Sequence, residues 1–220
     1  MNIKKIFCSA LFTAATLAGL QASAETATKG SEKNPWQIRV RAIDVVPNAS
    51  SSTITGLGGE VTELSSQITP ELDISYFFTK NVSAELILAT SKTNVTATGT
   101  AIGQVDLGSV WVLPPTLTLQ YHFLPDQTIN PYIGAGLNYT AFYNVDSGPV
   151  ADSIDYTNSF GPALEIGVDI AVDKNWMINF DIKQIFMQTN ATVNVGSDSY
   201  TTNVNVNPTI YGVGIGYRFS

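Results

Sequence analysis

Apolar side chains alternate with polar or small ones along eight segments of this 220-residue chain. In residues 36–44, for example, Ile38 and Val40 share one parity while Arg39 and Arg41 share the other. A period of two residues is that of a β-strand, whose successive side chains point to opposite faces. The other seven segments are residues 71–78, 82–90, 116–123, 133–139, 164–170, 176–183 and 211–219. The pattern therefore predicts an all-β fold of eight strands.

The connections between these segments alternate in length. The short ones are residues 79–81, 124–130 and 173–175, and the long ones, rich in Gly, Ser, Thr and Asn, are residues 48–66, 94–109, 144–158 and 191–200. Short turns at one rim and long loops at the other are typical of antiparallel outer-membrane barrels, whose long loops lie outside the cell. We therefore predict an eight-stranded antiparallel transmembrane β-barrel with four extracellular loops and both termini on the periplasmic side.

The chemistry of the two faces separates this prediction from a soluble ligand-binding barrel, which would turn its apolar face inward. Only 13% of the chain is charged, about half the share that is usual in soluble domains. In a membrane the charged parity must face the interior, because an Arg or Lys in mid-bilayer costs about 2–4 kcal/mol. The residues predicted to face the lumen are Arg39, Arg41, Asp73, Glu85, His122, Glu165, Asp169, Asp181, Lys183 and Arg218.

Aromatic residues recur at the strand ends that lead into the short turns. Aromatic side chains with a polar edge favour the boundary between lipid and water. We therefore predict an aromatic girdle at the short-turn rim, formed by Trp36, Tyr76, Phe78, Tyr121, Phe123, Trp176, Tyr217 and Phe219.

The first 24 residues have the features of an export signal. Lys4 and Lys5 precede an apolar stretch, and Ala22-Ser23-Ala24 supplies the small residues that signal peptidase requires. The stretch is shorter than the roughly 20 apolar residues of a membrane-spanning helix. We predict cleavage after Ala24, a periplasmic arm over residues 25–35 and the barrel over residues 36–220. The single cysteine, Cys8, lies in the signal, so the mature chain would contain no disulfide.

Charge and motif content exclude several functions. The formal net charge is −7, and loss of the signal would make it more negative, which disfavours binding to nucleic acid. His122 is the only histidine and has no serine close to it in the sequence, so a nucleophile activated by a base is not indicated. Without a metal-ligand cluster or phosphate loop either, the sequence predicts neither an enzyme nor a cofactor.

Some apolar residues break the inner polar pattern and could form a hydrophobic path or gate. On the strands they are Ile87, Met177, Ile185 and Met187, and in the predicted loops they are Leu57, Leu64, Ile102 and Leu107. The alternative, which the sequence alone favours, is simple packing of the interior. Pro114 and Pro115 cannot donate to a strand ladder, so we predict a kink or a local opening beside them.

Several motifs resemble the outer membrane protein W (OmpW) family. They are residues 35–41 (PWQIRVR), 113–123 (LPPTLTLQYHF), 131–140 (PYIGAGLNYT), 176–183 (WMINFDIK) and 216–219 (GYRF). The resemblance spans residues 35–220, although the family usually ends at an aromatic residue and this chain continues to Ser220. It implies a monomeric barrel whose narrow, partly hydrophobic lumen passes small hydrophobic molecules, in some members through a side opening. It also implies a terminal strand that the barrel-assembly machinery reads.

Two functions therefore stay open. One is a narrow channel or uptake route for a small hydrophobic ligand. The other is a non-conducting structural or surface-interaction barrel, of the kind that the family also uses as phage or colicin receptors or in stress. The lipid bilayer and lipopolysaccharide are the predicted surroundings. Acidic loop residues could bind cations that bridge lipopolysaccharide, or could simply be solvated.

Overall fold

The structure, a computed structural model, describes residues 34–54, 58–100 and 103–219, without the side chains of residues 62 and 63. The predicted signal, most of the predicted arm, Leu57, Ile102 and Ser220 lie outside the described residues. The strands are β1 (Trp36–Val46), β2 (Ser50–Ser51), β3 (Gly58–Leu64), β4 (Gln67–Phe77), β5 (Val82–Ala89), β6 (Ser91–Thr100), β7 (Gly103–Leu113), β8 (Thr116–His122), β9 (Ile129–Ser147), β10 (Ser153–Tyr156), β11 (Ser159–Ala171), β12 (Trp176–Ile185), β13 (Gln188–Val195), β14 (Asp198–Asn205) and β15 (Thr209–Arg218). No helix in these ranges is long and apolar enough to cross a membrane.

Eight of the strands close into a barrel. Around the ring they follow the order β1, β4, β5, β8, β9, β11, β12 and β15. β15 pairs antiparallel with β1, where Ile215 lies opposite Val40, and this pairing removes both sheet edges. Closure is required in lipid, where no water is available to bond an open edge. The predicted eight-stranded antiparallel barrel is confirmed, and each predicted segment lies on one of these strands.

The two parities of the strands have opposite surroundings. On the outer parity, Val40, Leu117 and Ile166 are exposed on the barrel wall, with 52%, 57% and 58% of their surfaces free. On the inner parity, Arg39 and Arg41 are almost completely buried. The wall therefore presents apolar side chains to lipid and encloses the charged ones.

The aromatic side chains at the short-turn rim contact one another in edge-to-face pairs. The ring centroids of Trp36 and Tyr76 lie 5.0 Å apart, and those of Tyr76 and Phe78 lie 5.3 Å apart. Trp176 and Tyr217 form an equivalent pair on the neighbouring strands, also at 5.0 Å. These contacts form the predicted girdle at the rim that carries the turns.

The four stretches predicted as loops are mostly β-strands, so that prediction is wrong in conformation. They contain β2, β3, β10 and parts of β6, β7, β9, β13 and β14. Gly, Ser, Thr and Asn content indicated loops, but threonine and valine also favour strands. In β13, Ala191 and Val193 are buried while Asn190 is exposed, which is the alternation of a half-buried strand.

These strands form two upper sheets that continue the barrel wall beyond the membrane. One contains β3, β6, β7 and the end of β9, and the other contains β2, β14, β13 and β10. Their apolar faces pack into one buried cluster with Ile43 and Ile210 of the barrel. The sheets meet where the rings of Phe142 and Tyr156 stack at 5.5 Å. Burial raises the pKa of Tyr156 to about 12, so its phenol stays protonated in this contact.

If the apolar face meets lipid, the cost to stability of a charge on that face should depend on its depth in the bilayer. Ile166→Arg should destabilise the barrel by about 2–4 kcal/mol, because Ile166 lies in the middle of β11 on the outer face. Val172→Arg, on the same outward parity but at the turn after β11, should cost no more than about 1 kcal/mol. Urea unfolding of both variants in phospholipid vesicles measures the difference. Equal costs at the two positions would contradict the assignment.

Candidate functional site

The barrel interior has two levels, which we call the plug and the cavity. The plug is the set of buried charged side chains Arg39, Arg41, Glu71, Asp73, Glu85, Glu165, Asp169, Asp181 and Lys183. Above it, towards the upper sheets, the inward residues change from charged to apolar within two residues on three strands. Arg41 is followed by Ile43, Glu85 by Ile87, and Lys183 by Ile185.

Arg39 joins acidic residues from opposite sides of the barrel. Its Nη2 lies 2.7 Å from Asp169 Oδ2 and its Nε donates to Asp169 Oδ1 at 3.1 Å. Its Nη1 forms an ion pair with Glu85, whose Oε2 also accepts from Ser75 at 2.6 Å. The planar guanidinium, with five donors, suits such a bridge between carboxylates.

Arg41 occupies the next inward position and has a still more acidic environment. Its Nη1 lies 2.9 Å from Asp73 Oδ2 and 3.0 Å from Glu71 Oε1. Lys183 contacts the same carboxylate of Glu71 and lies 2.7 Å from Asp181 Oδ2. Asp73, Asp181 and Glu165 nevertheless keep buried oxygens without a hydrogen-bond partner among the described residues. The plug therefore has more acceptors than its cations can satisfy.

Two inward glycines leave the space that plug side chains occupy. A Cβ at Gly134 would lie 2.3 Å from Glu165 Oε1, and one at Gly212 would lie 2.1 Å from Asp181 Oδ1. Either contact is far shorter than van der Waals distance. These two glycines thus mark the places where a plug carboxylate crosses the face of a neighbouring strand.

His122 lies in the barrel below the plug and contacts a serine that sequence spacing did not reveal. Ser83 Oγ is 3.3 Å from His122 Nε2, although 39 residues separate the two in the chain. Asn130 donates to His122 Nδ1 at 3.0 Å, and its own Oδ1 accepts from the Leu124 amide, which fixes the amide orientation. The proton of the ring therefore belongs on Nε2, and this nitrogen cannot take a proton from Ser83.

The turn-rim end of the lumen holds Arg218 and Met177. The Arg218 guanidinium lies 3.7 Å from the ring centroid of Phe77, a cation–π contact. Met177 borders a small cavity of about 10 Å³ together with Arg218 and Asp169. Met177 therefore lies in the lumen, as predicted, but at the turn-rim end and away from Ile185.

Above the plug lies an apolar cavity of about 90 Å³. Five residues predicted for the path or gate line it, namely Ile87, Ile185, Met187, Leu64 and Leu107. Apart from Glu71 and Lys183, every lining residue in the described part of the chain is uncharged. Its floor is thus the top of the plug, and its walls belong to the upper sheets and the upper barrel.

One wall of the cavity contains a gap in the strand ladder, which we call the seam. Ile87 pairs with Thr116 and Ser91 pairs with Val112, so the register is the same on both sides. Between them, no ladder pair joins residues 88–90 to residues 113–115. Pro114 and Pro115 lie in this gap, where the sequence predicted a local opening. Ala89 and Pro114 also line the cavity, so the cavity reaches the seam.

Side chains provide the ties across the seam. Thr90 Oγ1 donates to the Val112 carbonyl at 3.2 Å and lies 2.7 Å from the hydroxyl of Tyr143. The ring of Tyr143 is half-exposed on the outer wall and contacts Trp111, with centroids 6.2 Å apart. A threonine hydroxyl thus replaces the missing backbone bonds at the upper end of the gap.

Glu71 and Tyr132 are interior residues that the predicted lumen-facing set does not include. Both lie on the inner parity, next to Leu72 and Ile133 of the outer face, so the alternation alone could have found them. Tyr132 is completely buried, and its hydroxyl accepts from Arg41 at 3.2 Å.

Removing a plug cation should destabilise the barrel strongly. Arg39→Met leaves Glu85 and Asp169 buried without their main partner, for which we expect a cost of about 3–5 kcal/mol. Lys80→Met is the matched control, since the exposed Lys80–Asp126 pair should contribute no more than about 1 kcal/mol. Urea unfolding in vesicles, followed by tryptophan fluorescence, measures both. A loss for Arg39→Met as small as that of the control would contradict a structural role for the plug.

Comparison with known proteins gives consistent results. A 42% identical relative, covering 96% of each chain, is an uncharacterized outer-membrane protein, y4mB, of Sinorhizobium fredii. The dibenzothiophene metabolism operon protein PahQ of Pseudomonas aeruginosa is 28% identical over 86% of this chain and 90% of its own. The crystal structure of the outer membrane protein OprG from Pseudomonas aeruginosa superposes with a TM-score of 0.78 at 27% identity, covering 84% of this chain and 96% of that one. These likenesses confirm the predicted outer-membrane location.

The model of the OmpW family matches residues 32–219, which include the barrel and both upper sheets. The motifs that suggested the family all lie within this match. The chain therefore belongs to the OmpW family of outer-membrane β-barrels.

Proposed function

We propose that the protein is an uptake route for small hydrophobic molecules, which enter the apolar cavity between the upper sheets and leave through the seam into the outer membrane. The observation that carries this proposal is the position of the cavity. Its floor is the charged plug, and one wall contains the seam beside Pro114. On its way to the lipid, an apolar molecule in the cavity therefore passes fewer polar side chains than on its way to the periplasm.

The plug argues against a path straight through the barrel. An eight-stranded barrel has room for little more than its own side chains. Here Arg39 and Arg41 cross that space and pair with acids on other strands. Carrying an apolar molecule past them would require separating buried ion pairs, which is costly. The lateral route leaves the plug intact.

The relatives support this class of substrate. The relative PahQ is described as a dibenzothiophene metabolism operon protein, and dibenzothiophene is a small apolar aromatic compound. We propose no catalytic role, because the Ser83–His122 contact lacks a base able to accept the serine proton. No group of three or more metal-ligating side chains occurs among the described residues.

A non-conducting surface-interaction barrel is the second candidate. The buried ion pairs of the plug favour it, as do the upper sheets, which continue the wall past the eight barrel strands. This candidate requires no traffic through the seam. Transport measurements on seam variants therefore separate the two functions.

A disulfide across the seam should block transport. Thr90→Cys with Leu113→Cys places two thiols at opposed positions of the gap while keeping both prolines. After oxidation of this variant, cells should take up a neutral apolar dye no faster than cells without the protein. The dye fluoresces in lipid, which reports its uptake. A reductant should restore the rate. The chain has a single cysteine of its own, Cys8, in the predicted signal.

Val40→Cys with Ile215→Cys is the matched control, because these residues face each other on a fully paired part of the wall. Its uptake should be the same in both redox states. If the seam disulfide forms and uptake continues, the lateral route is wrong. If the unmodified protein gives no uptake above background, the interaction barrel is the better description.

Loosening the seam should have the opposite effect. Tyr143→Phe removes the hydrogen bond to Thr90, a contribution of about 0.5–1.5 kcal/mol, and should raise dye uptake about two- to tenfold. Tyr139→Phe is the control, since the Tyr139 hydroxyl accepts from Asn158 on the other side of β9. Equal rates for Tyr143→Phe and the unmodified protein would show that this contact does not restrain the seam.

A further inference from the structure

The floor of the apolar cavity is an ion pair in which one carboxylate oxygen has no hydrogen-bond partner in the described chain. Glu71 and Lys183 are its charged lining residues within the described ranges, and each is about 2% exposed. Ile43, Ile87, Ile185 and Ile210 surround them as an apolar collar. A molecule that fills the cavity must therefore place one end against this pair.

Glu71 retains an acceptor that no part of the described chain uses. Arg41 Nη1 and Lys183 Nζ both donate to its Oε1, and its side-chain hydrogen bonds within the described chain all fall on that oxygen. Asp73 Oδ1 is unpaired too but is sealed inside the plug, whereas Glu71 Oε2 is not. It is therefore accessible from the cavity. Lys183, by contrast, is held between the carboxylates of Glu71 and Asp181.

The two cations nearest the floor, Arg41 and Lys183, are already paired with acids. Four cations, including Arg218 at the turn rim, face six carboxyl groups in the lumen. The acids are Glu71, Asp73, Glu85, Glu165, Asp169 and Asp181. A second anion placed at Glu71 would meet repulsion that the nearby cations, already paired, do not offset.

We propose that the floor selects apolar molecules whose polar end is an uncharged hydrogen-bond donor, such as an alcohol or a phenol, and rejects those that end in a carboxylate. The hydroxyl donates to Glu71 Oε2, and the hydrocarbon part lies among the isoleucines of the collar. This inference rests on the proposed uptake function and adds the substrate class to it. Glu71 is its specificity-determining residue.

Methyl NMR of the full-length protein in phosphatidylcholine nanodiscs can test this selection. Isoleucine methyls of Ile87 and Ile185 report on the cavity, while those of Ile133 and Ile166 face lipid and correct for partitioning into the bilayer. The probes are decane, decanol and decanoate, at a pH well above the carboxyl pKa of decanoate. We expect decanol to shift the cavity methyls at a concentration at least about tenfold lower than decanoate does.

Glu71→Gln keeps the size of the side chain and removes its charge. It should bring decanoate to within a few-fold of decanol. Glu60→Gln, an equal charge change at an exposed position on β3, is the matched control and should keep the tenfold preference. If Glu71→Gln does not fold, the comparison of decanol with decanoate in the unmodified protein still decides the selection.

The outcomes separate this inference from the uptake proposal. Equal shifts by decanol and decanoate would overturn the selection but leave uptake standing. A tenfold preference that persists in Glu71→Gln would overturn the assignment to Glu71. Cavity methyls that respond to none of the three probes, decane included, would overturn the uptake proposal itself.

Discussion

In lipid, each backbone amide must find its hydrogen-bond partner within the protein, and this constraint determines the rest of the structure. Pairing of β15 with β1 closes the ring and so satisfies this requirement for all eight strands. A ring of eight strands encloses little more than its own inward side chains. Charged residues on the inner parity consequently cannot be hydrated. They must pair with one another, as Arg39 does with Glu85 and Asp169. The plug is thus a consequence of the number of strands.

Beyond the membrane the constraint is relaxed, since water can bond an unpaired strand edge. The wall accordingly divides into two sheets, and the residues that face inward become apolar. The change occurs within two residues, between Lys183 and Ile185 on β12 and between Arg41 and Ile43 on β1. The cavity lies at this boundary, with the plug as its floor. Its chemistry therefore differs between its two ends, and a bound molecule with one polar end has a preferred orientation.

The alternation of side chains was enough to predict the barrel, the lipid-facing wall and the inward charges, because a strand in lipid has one strict period. The long connections keep the same alternation, for instance at Ala191 and Val193, but their Thr and Asn content is also typical of loops. Height along the barrel was harder to predict. Met177 has the inward parity of Ile185 but lies below the plug, and Ser83 meets His122 only through strand register.

The seam shows why proline is suited to opening a ladder inside a membrane. Any other residue in an unpaired stretch would leave an N–H without a partner in lipid, which costs several kcal/mol. Pro114 and Pro115 have no N–H to leave unpaired. Their carbonyls are satisfied within the protein, by Asn138 Nδ2 at 3.1 Å for Pro114 and by the Tyr139 amide at 3.0 Å for Pro115. On the opposite side, Leu88 and Ala89 pair with β4. The wall therefore loses its ladder where both prolines lack an N–H and both of their carbonyls keep a partner. In the proposed lateral route, the Thr90 contacts are the ties that an opening must release.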